Sequence, residues 1–101
     1  MHLIQILLPL ADNEGREFPE ETLRGIHAEL AARFGGLTAY SRSPARGIWK
    51  SGPDEQKDDI VIVEVMAQAL DEKWWTDLRS HLEKLLGQEE IVIRATEIRK
   101  L

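Results

Sequence analysis

The sequence predicts an α+β fold of the ferredoxin-like kind, βαββαβ, with a four-stranded antiparallel sheet and two helices on one face. Three observations predict it. Leu23, Ile26, Leu30 and Phe34 recur at helical spacing, and so do Trp75, Leu78, Leu82, Leu85 and Leu86. Short β-branched or apolar runs flank and separate these stretches, the clearest being "DDIVIVEVM". Their order is strand, helix, strand, strand, helix, strand, and right-handed crossovers then set the first and third strands in the middle of the sheet.

Leu3 to Leu8 is the first strand, and "ADNEGREF" after it carries the Asp, Asn and Gly of a loop. Pro19 is placed at the first helical position, where a missing N–H costs nothing, and Glu20 and Glu21 complement the helix dipole. Gly35 and Gly36 end this helix, the first as a left-handed cap. "GLTAYSR" is a second, weaker strand, and "SPARGIWKSGPDEQK" reads as a long loop or irregular hairpin broken by Pro44, Gly47, Gly52 and Pro53. "DDIVIVEVM" is the third strand. Asp71 caps the second helix, with Leu70 and Trp75 at hydrophobic-staple spacing, and Gly87 stops it. "EEIVIRATEI" is the last strand.

Alternation sorts the strand residues onto two faces. Ile4, Ile6, Leu8, Val61, Val63, Val65, Ile91, Ile93 and Ala95 belong under the helices. The opposite face carries Leu3, Leu7, Ile60, Ile62, Met66, Val92 and Ile98, which is too apolar for water. The expected cover is a second copy, sheet against sheet, so that the chain is its own partner. Gln5, Glu64 and Arg94 are polar residues on that same face. Burying either charge alone would be costly, so they are expected to pair or to share Gln5 at the dimer interface. The other reading of this cluster is a ligand-binding centre.

Residues 1–101 are enough for one domain, whose core is feasible without staples. The chain has no cysteine, which excludes disulfides, thiolate metal sites and cysteine nucleophiles. A net charge of -5 argues against a nucleic-acid partner, and no run approaches the roughly 18 apolar residues of a membrane helix. Leu3 to Ala11 lacks a basic flank and is not read as a signal peptide, so the expected location is cytoplasmic. No cofactor or metal is expected, because no H-x-x-x-H or comparable spacing occurs.

Candidate chemistry is sparse. His27 lies in the apolar stripe of the first helix and His81 at the edge of the second, and each is either a half-buried packing residue or an acid/base group in a helix–sheet pocket. Trp74 and Trp49 are either packing anchors or an aromatic wall. The stretch "RFGGLTAYSRSPARGIWKSG" holds Arg33, Arg42, Arg46 and Lys50 and no acid. Arg33 suits a helix C-terminus and Arg42 a sheet edge. Arg46 and Lys50 either pair with Asp54, Glu55, Asp58 or Asp59 as solvated charge, or bind a small anionic or aromatic ligand beside Trp49.

"RFGGLTAY", then "GIWK", then "GQEEIVIRA" resemble an uncharacterised bacterial family of the dimeric α/β-barrel group, over roughly residues 18 to 98. The resemblance implies a ferredoxin-like homodimer. The wider group includes cofactor-free monooxygenases, isomerases, heme enzymes and proteins without known activity, so whether the chain is an enzyme stays open. Two classes therefore stand: a binding, structural or regulatory module, and a small-molecule enzyme with His27 or His81 as base.

Overall fold

The computed structural model describes residues 1–40, 45–51 and 54–101, with the side chains of 45–51 and 54–58 excepted. The elements are β1 (His2–Pro9), α1 (Glu20–Phe34), β2 (Thr38–Ala39), β3 (Ala45–Ser51), β4 (Asp54–Ala67), α2 (Glu72–Leu85) and β5 (Ile93–Glu97). All strand pairs are antiparallel, in the order β2-β4-β1-β5, with β3 also paired to β4. β2 and β3 follow one another along the edge of β4 that faces away from β1: Ile60 lies between Pro9 and Ala45, and Glu64 between Gln5 and Thr38. The sheet thus has four lanes with β1 and β4 inside, and the predicted α+β class holds.

The two faces divide as alternation requires. Ile4, Ile6, Leu8, Val61, Val63 and Val65 are buried against Ile26 and Leu30 of α1 and Trp75, Leu78 and Leu82 of α2. Burying each such side chain is worth roughly 1.5–3 kcal/mol, which makes this layer the main source of stability. Leu3, Leu7, Ile60, Ile62 and Val92 are only half-buried, and Met66 is 46% exposed.

The helix ends follow local chemistry. The Asp71 carboxylate accepts from the Trp74 N–H at 3.1 Å, and Gly35 takes the left-handed conformation (φ 76°) as its N–H donates to the Ala31 carbonyl. Gly87 has φ 60° just beyond α2. Pro19 stands one position outside α1, as its cap, and supplies no side-chain bond.

Besides the place of Pro19, three expectations need correction. Much of the predicted loop after Pro44 is a strand pairing: β3 runs against the first half of β4, from Ala45 opposite Ile60 to Ser51 opposite Asp54. β4 therefore starts at Asp54, and its portion before Ile60 extends past the end of β1 as a two-stranded ribbon. β5 begins at Ile93, although Val92 still accepts from the Leu7 N–H. Ala95, expected under the helices, is exposed; it lies on the edge strand with a side chain too small to reach the core.

Candidate functional site

The open sheet face carries a continuous polar row. Register sets Thr38 opposite Glu64, Glu64 opposite Gln5, and Gln5 opposite Arg94, across four lanes. Neighbouring strands lie about 4.8 Å apart, within reach of long polar side chains. The Arg94 Nε–H donates to the Gln5 Oε1 at 2.7 Å, and the Gln5 amide donates through Nε2 to the Glu64 Oε1 at 2.6 Å. Gln5 is thus the link between guanidinium and carboxylate, the shared arrangement that alternation on β1, β4 and β5 allows.

Tyr40 completes the row, with its hydroxyl donating to the second Glu64 oxygen at 3.2 Å. That bond and the carboxylate charge raise the phenol's pKa above its ordinary value. Tyr40 is two residues past Thr38, on the same face, and its N–H donates to the Ile62 carbonyl. The alternation of "GLTAYSR" held this signal, but the register of so short a strand did not. The row is bordered by Leu3 and Met66 on one side and by Leu7 and Ile62 on the other.

The histidines occupy different surroundings. His27 is half-buried on α1, and desolvation lowers its pKa below the usual imidazole value. His81 is exposed and lines a groove of about 380 Å³ between α1 and α2, together with Ile26, Leu30, Leu78 and Leu82; His27 does not line it. This groove lies between helices. The layer between helices and sheet, where the acid/base reading placed both histidines, is packed with fully buried Ile4, Ile6, Val63, Leu30 and Leu82.

Trp74 belongs to an aromatic cluster that ties the end of α1 to the start of α2. Phe34 stacks on Trp75 with centroids 5.1 Å apart, and Trp74 stands edge-on to Trp75 at 4.8 Å and to Phe34 at 5.4 Å. The Arg33 guanidinium lies 4.1 Å from the Trp74 centroid, a cation–π contact beyond the dipole role that the sequence assigns to Arg33.

Arg46, Trp49 and Lys50 are described by backbone alone, with Arg46 opposite Asp59 and Lys50 opposite Glu55. Their side chains, and all of Arg42, lie outside the described residues. The "DNEGREF" loop satisfies itself. Asp12 accepts from the N–H groups of Glu14 and Arg16, both at 2.9 Å, and from the Arg16 Nε at 3.0 Å. These bonds, the Arg16 N–H foremost, hold the Asp12 carboxyl below its ordinary pKa, while Gly15 takes φ 83° at the turn. Such a loop has no open cradle for an anion. Among the described residues no group of three or more His, Asp and Glu is placed to hold a metal, and no helix is long and apolar enough to cross a membrane.

No protein-family model and no curated protein matches the chain. The resemblance to a bacterial family therefore rests on the quoted motifs. Solved structures do match. A phage SAM lyase in complex with S-methyl-5'-thioadenosine aligns with a TM-score of 0.66 and 14% identity, over 95% of this chain and 80% of that one. The same type of enzyme in its apo state aligns at 0.64 and 13%, over 95% and 79%. At such identity the likeness concerns the fold.

Proposed function

We propose that this protein is a homodimeric binding or regulatory module that associates through its open sheet face. The observation that carries the reading is the polar row Tyr40–Glu64–Gln5–Arg94 set in the middle of an apolar surface. The apolar rows on either side supply the gain in burial. The polar row supplies register, because a second copy placed out of step would bury charge without a partner.

The order of the row also selects the two-fold axis. Sheets packed face to face lie about 10 Å apart. An axis parallel to the strands reverses the lanes and sets Arg94 over the second copy's Glu64. An axis across the strands keeps the lanes in order and sets Glu64 over Glu64 and Arg94 over Arg94, which like-charge repulsion disfavours. The axis therefore runs along β1 in this reading.

A double-mutant cycle tests it. Glu64→Gln and Arg94→Met are each expected to weaken the dimer, and the double variant to lose less than the sum of the two, with a coupling of about 0.5–3 kcal/mol. Strict additivity contradicts the role of the row.

A second reading, a small-molecule enzyme, is favoured by one observation: the solved structures with this fold include a phage SAM lyase, one of them in complex with S-methyl-5'-thioadenosine. In this chain the matching chemistry would be a Glu64 carboxylate, flanked by Tyr40, facing a cationic or nucleoside-bearing ligand on the sheet face. Titration with S-methyl-5'-thioadenosine and with S-adenosylmethionine separates the readings. Saturable binding abolished by Glu64→Gln favours the enzyme, and no heat or shift at millimolar ligand favours the module.

A further inference from the structure

The groove between the two helices lies on the side of the molecule away from the open sheet face, and it has its own pattern of charge. Its floor is apolar, with Leu30 and Leu82 buried, and Leu85 stands 50% exposed at its margin. Glu21 and Glu29 of α1 line it, and among the described residues no lysine or arginine does. Neither glutamate has an ion-pair or hydrogen-bond partner among the described residues, whereas the neighbouring Glu20 is paired with Arg24 at 2.6 Å.

Between these glutamates, four residues from each, is Gly25. A glycine inside a helix costs stability relative to alanine, and it is usually repaid by a special backbone angle or by close packing. Gly25 has neither. Its φ is not positive, and a Cβ added there would meet nothing within 4 Å. Its missing side chain instead opens a notch in the wall of the groove, where another backbone can approach α1 closely.

We infer that this groove receives a basic amphipathic helix from a partner protein, an apolar side chain seated at the Gly25 notch and two cations meeting Glu21 and Glu29. The spacing favours a helix over a small molecule. Eight residues of helix put the glutamates about 12 Å apart along the axis, beyond the span of one ammonium group. A partner helix with the order Lys-x-x-x-Leu-x-x-x-Lys repeats that spacing, and its symmetry suits either direction along the groove. The open groove also suits a helix laid along it, which buries its apolar face between α1 and α2 while its polar face stays in water.

The probe is a synthetic helical peptide of about fifteen residues built on that repeat, titrated into the isotopically labelled full-length protein and followed by NMR. Shifts are expected at Gly25, Leu85 and their neighbours, with the sheet face unchanged. A peptide with both lysines replaced by glutamate is expected to bind about tenfold more weakly, as is the native peptide to a Glu21→Gln, Glu29→Gln variant. Gly25→Leu fills the notch with a better helix former, so it folds, and it is expected to abolish binding. The assignment is overturned by absence of binding at millimolar peptide, by shifts confined to the sheet face, by equal affinity for the charge-reversed peptide, or by unaltered binding to Gly25→Leu. Because the readout lies off the sheet face, the outcome is independent of dimerisation.

Discussion

At the scale of single residues, environment decides whether a titratable side chain is chemistry or packing. His27 illustrates it: the same helical spacing that puts Ile26 and Leu30 in the core half-buries the imidazole, and burial lowers its pKa. A folded-state value below the unfolded one means that both forms are neutral at high pH. As pH falls below about 6.5 the unfolded chain takes up its proton first, so stability is lost until folded His27 also protonates. Urea midpoints at about pH 8 and about pH 5 are expected to differ less in His27→Leu than in the parent protein. An unchanged difference would mean that His27 does not contribute to the pH dependence. Gln5, Glu64 and Arg94 were legible as one cluster, because period-two alternation and the strand order put all three on one face in adjacent lanes. Tyr40 was not, since a strand of two residues gives too little pattern to fix register. Gly25 and the unpaired glutamates were invisible for a different reason: a sequence does not reveal which exposed charges lack partners.

At the scale of elements, the segments with a buried face were the readable ones. β1, the second half of β4 and both helices each bury one side, and burial imposes the period that sequence reading detects. The ribbon of β3 with Asp54–Asp59 of β4 lies beyond β1, so no core imposes alternation on "DEQKDD", while Gly47 and the flanking prolines read as loop punctuation. Helix ends were readable because caps are local chemistry. Asp71 is the clearest case, and Asp71→Ala is expected to cost about 1 kcal/mol, measured by equilibrium denaturation. Asp71→Asn retains an acceptor and is expected to restore most of that loss. Equal losses in both variants would assign the effect to charge at the α2 N-terminus rather than to the cap bond. α2 also holds Trp74 and Trp75, whose contacts with Phe34 and Arg33 join the two helices at one end. The groove lies between the same helices.

At the scale of the whole molecule, the sheet is asymmetric. One face is closed by helices, and the other exposes half-buried aliphatics around four hydrogen-bonded polar side chains. An acidic chain of 101 residues has little core to spare, so covering that face with a second copy would add burial where the single chain has least. In the proposed dimer this cover is the chain itself. Sedimentation equilibrium at micromolar concentration tests it most directly, run on the parent protein and on Ile62→Lys, which puts an unpaired charge beside the polar row. The expected result is twice the 11.5 kDa chain mass for the parent and loss of the dimer, by dissociation or unfolding, in the variant. A parent protein that sediments as a stable, folded monomer would contradict it.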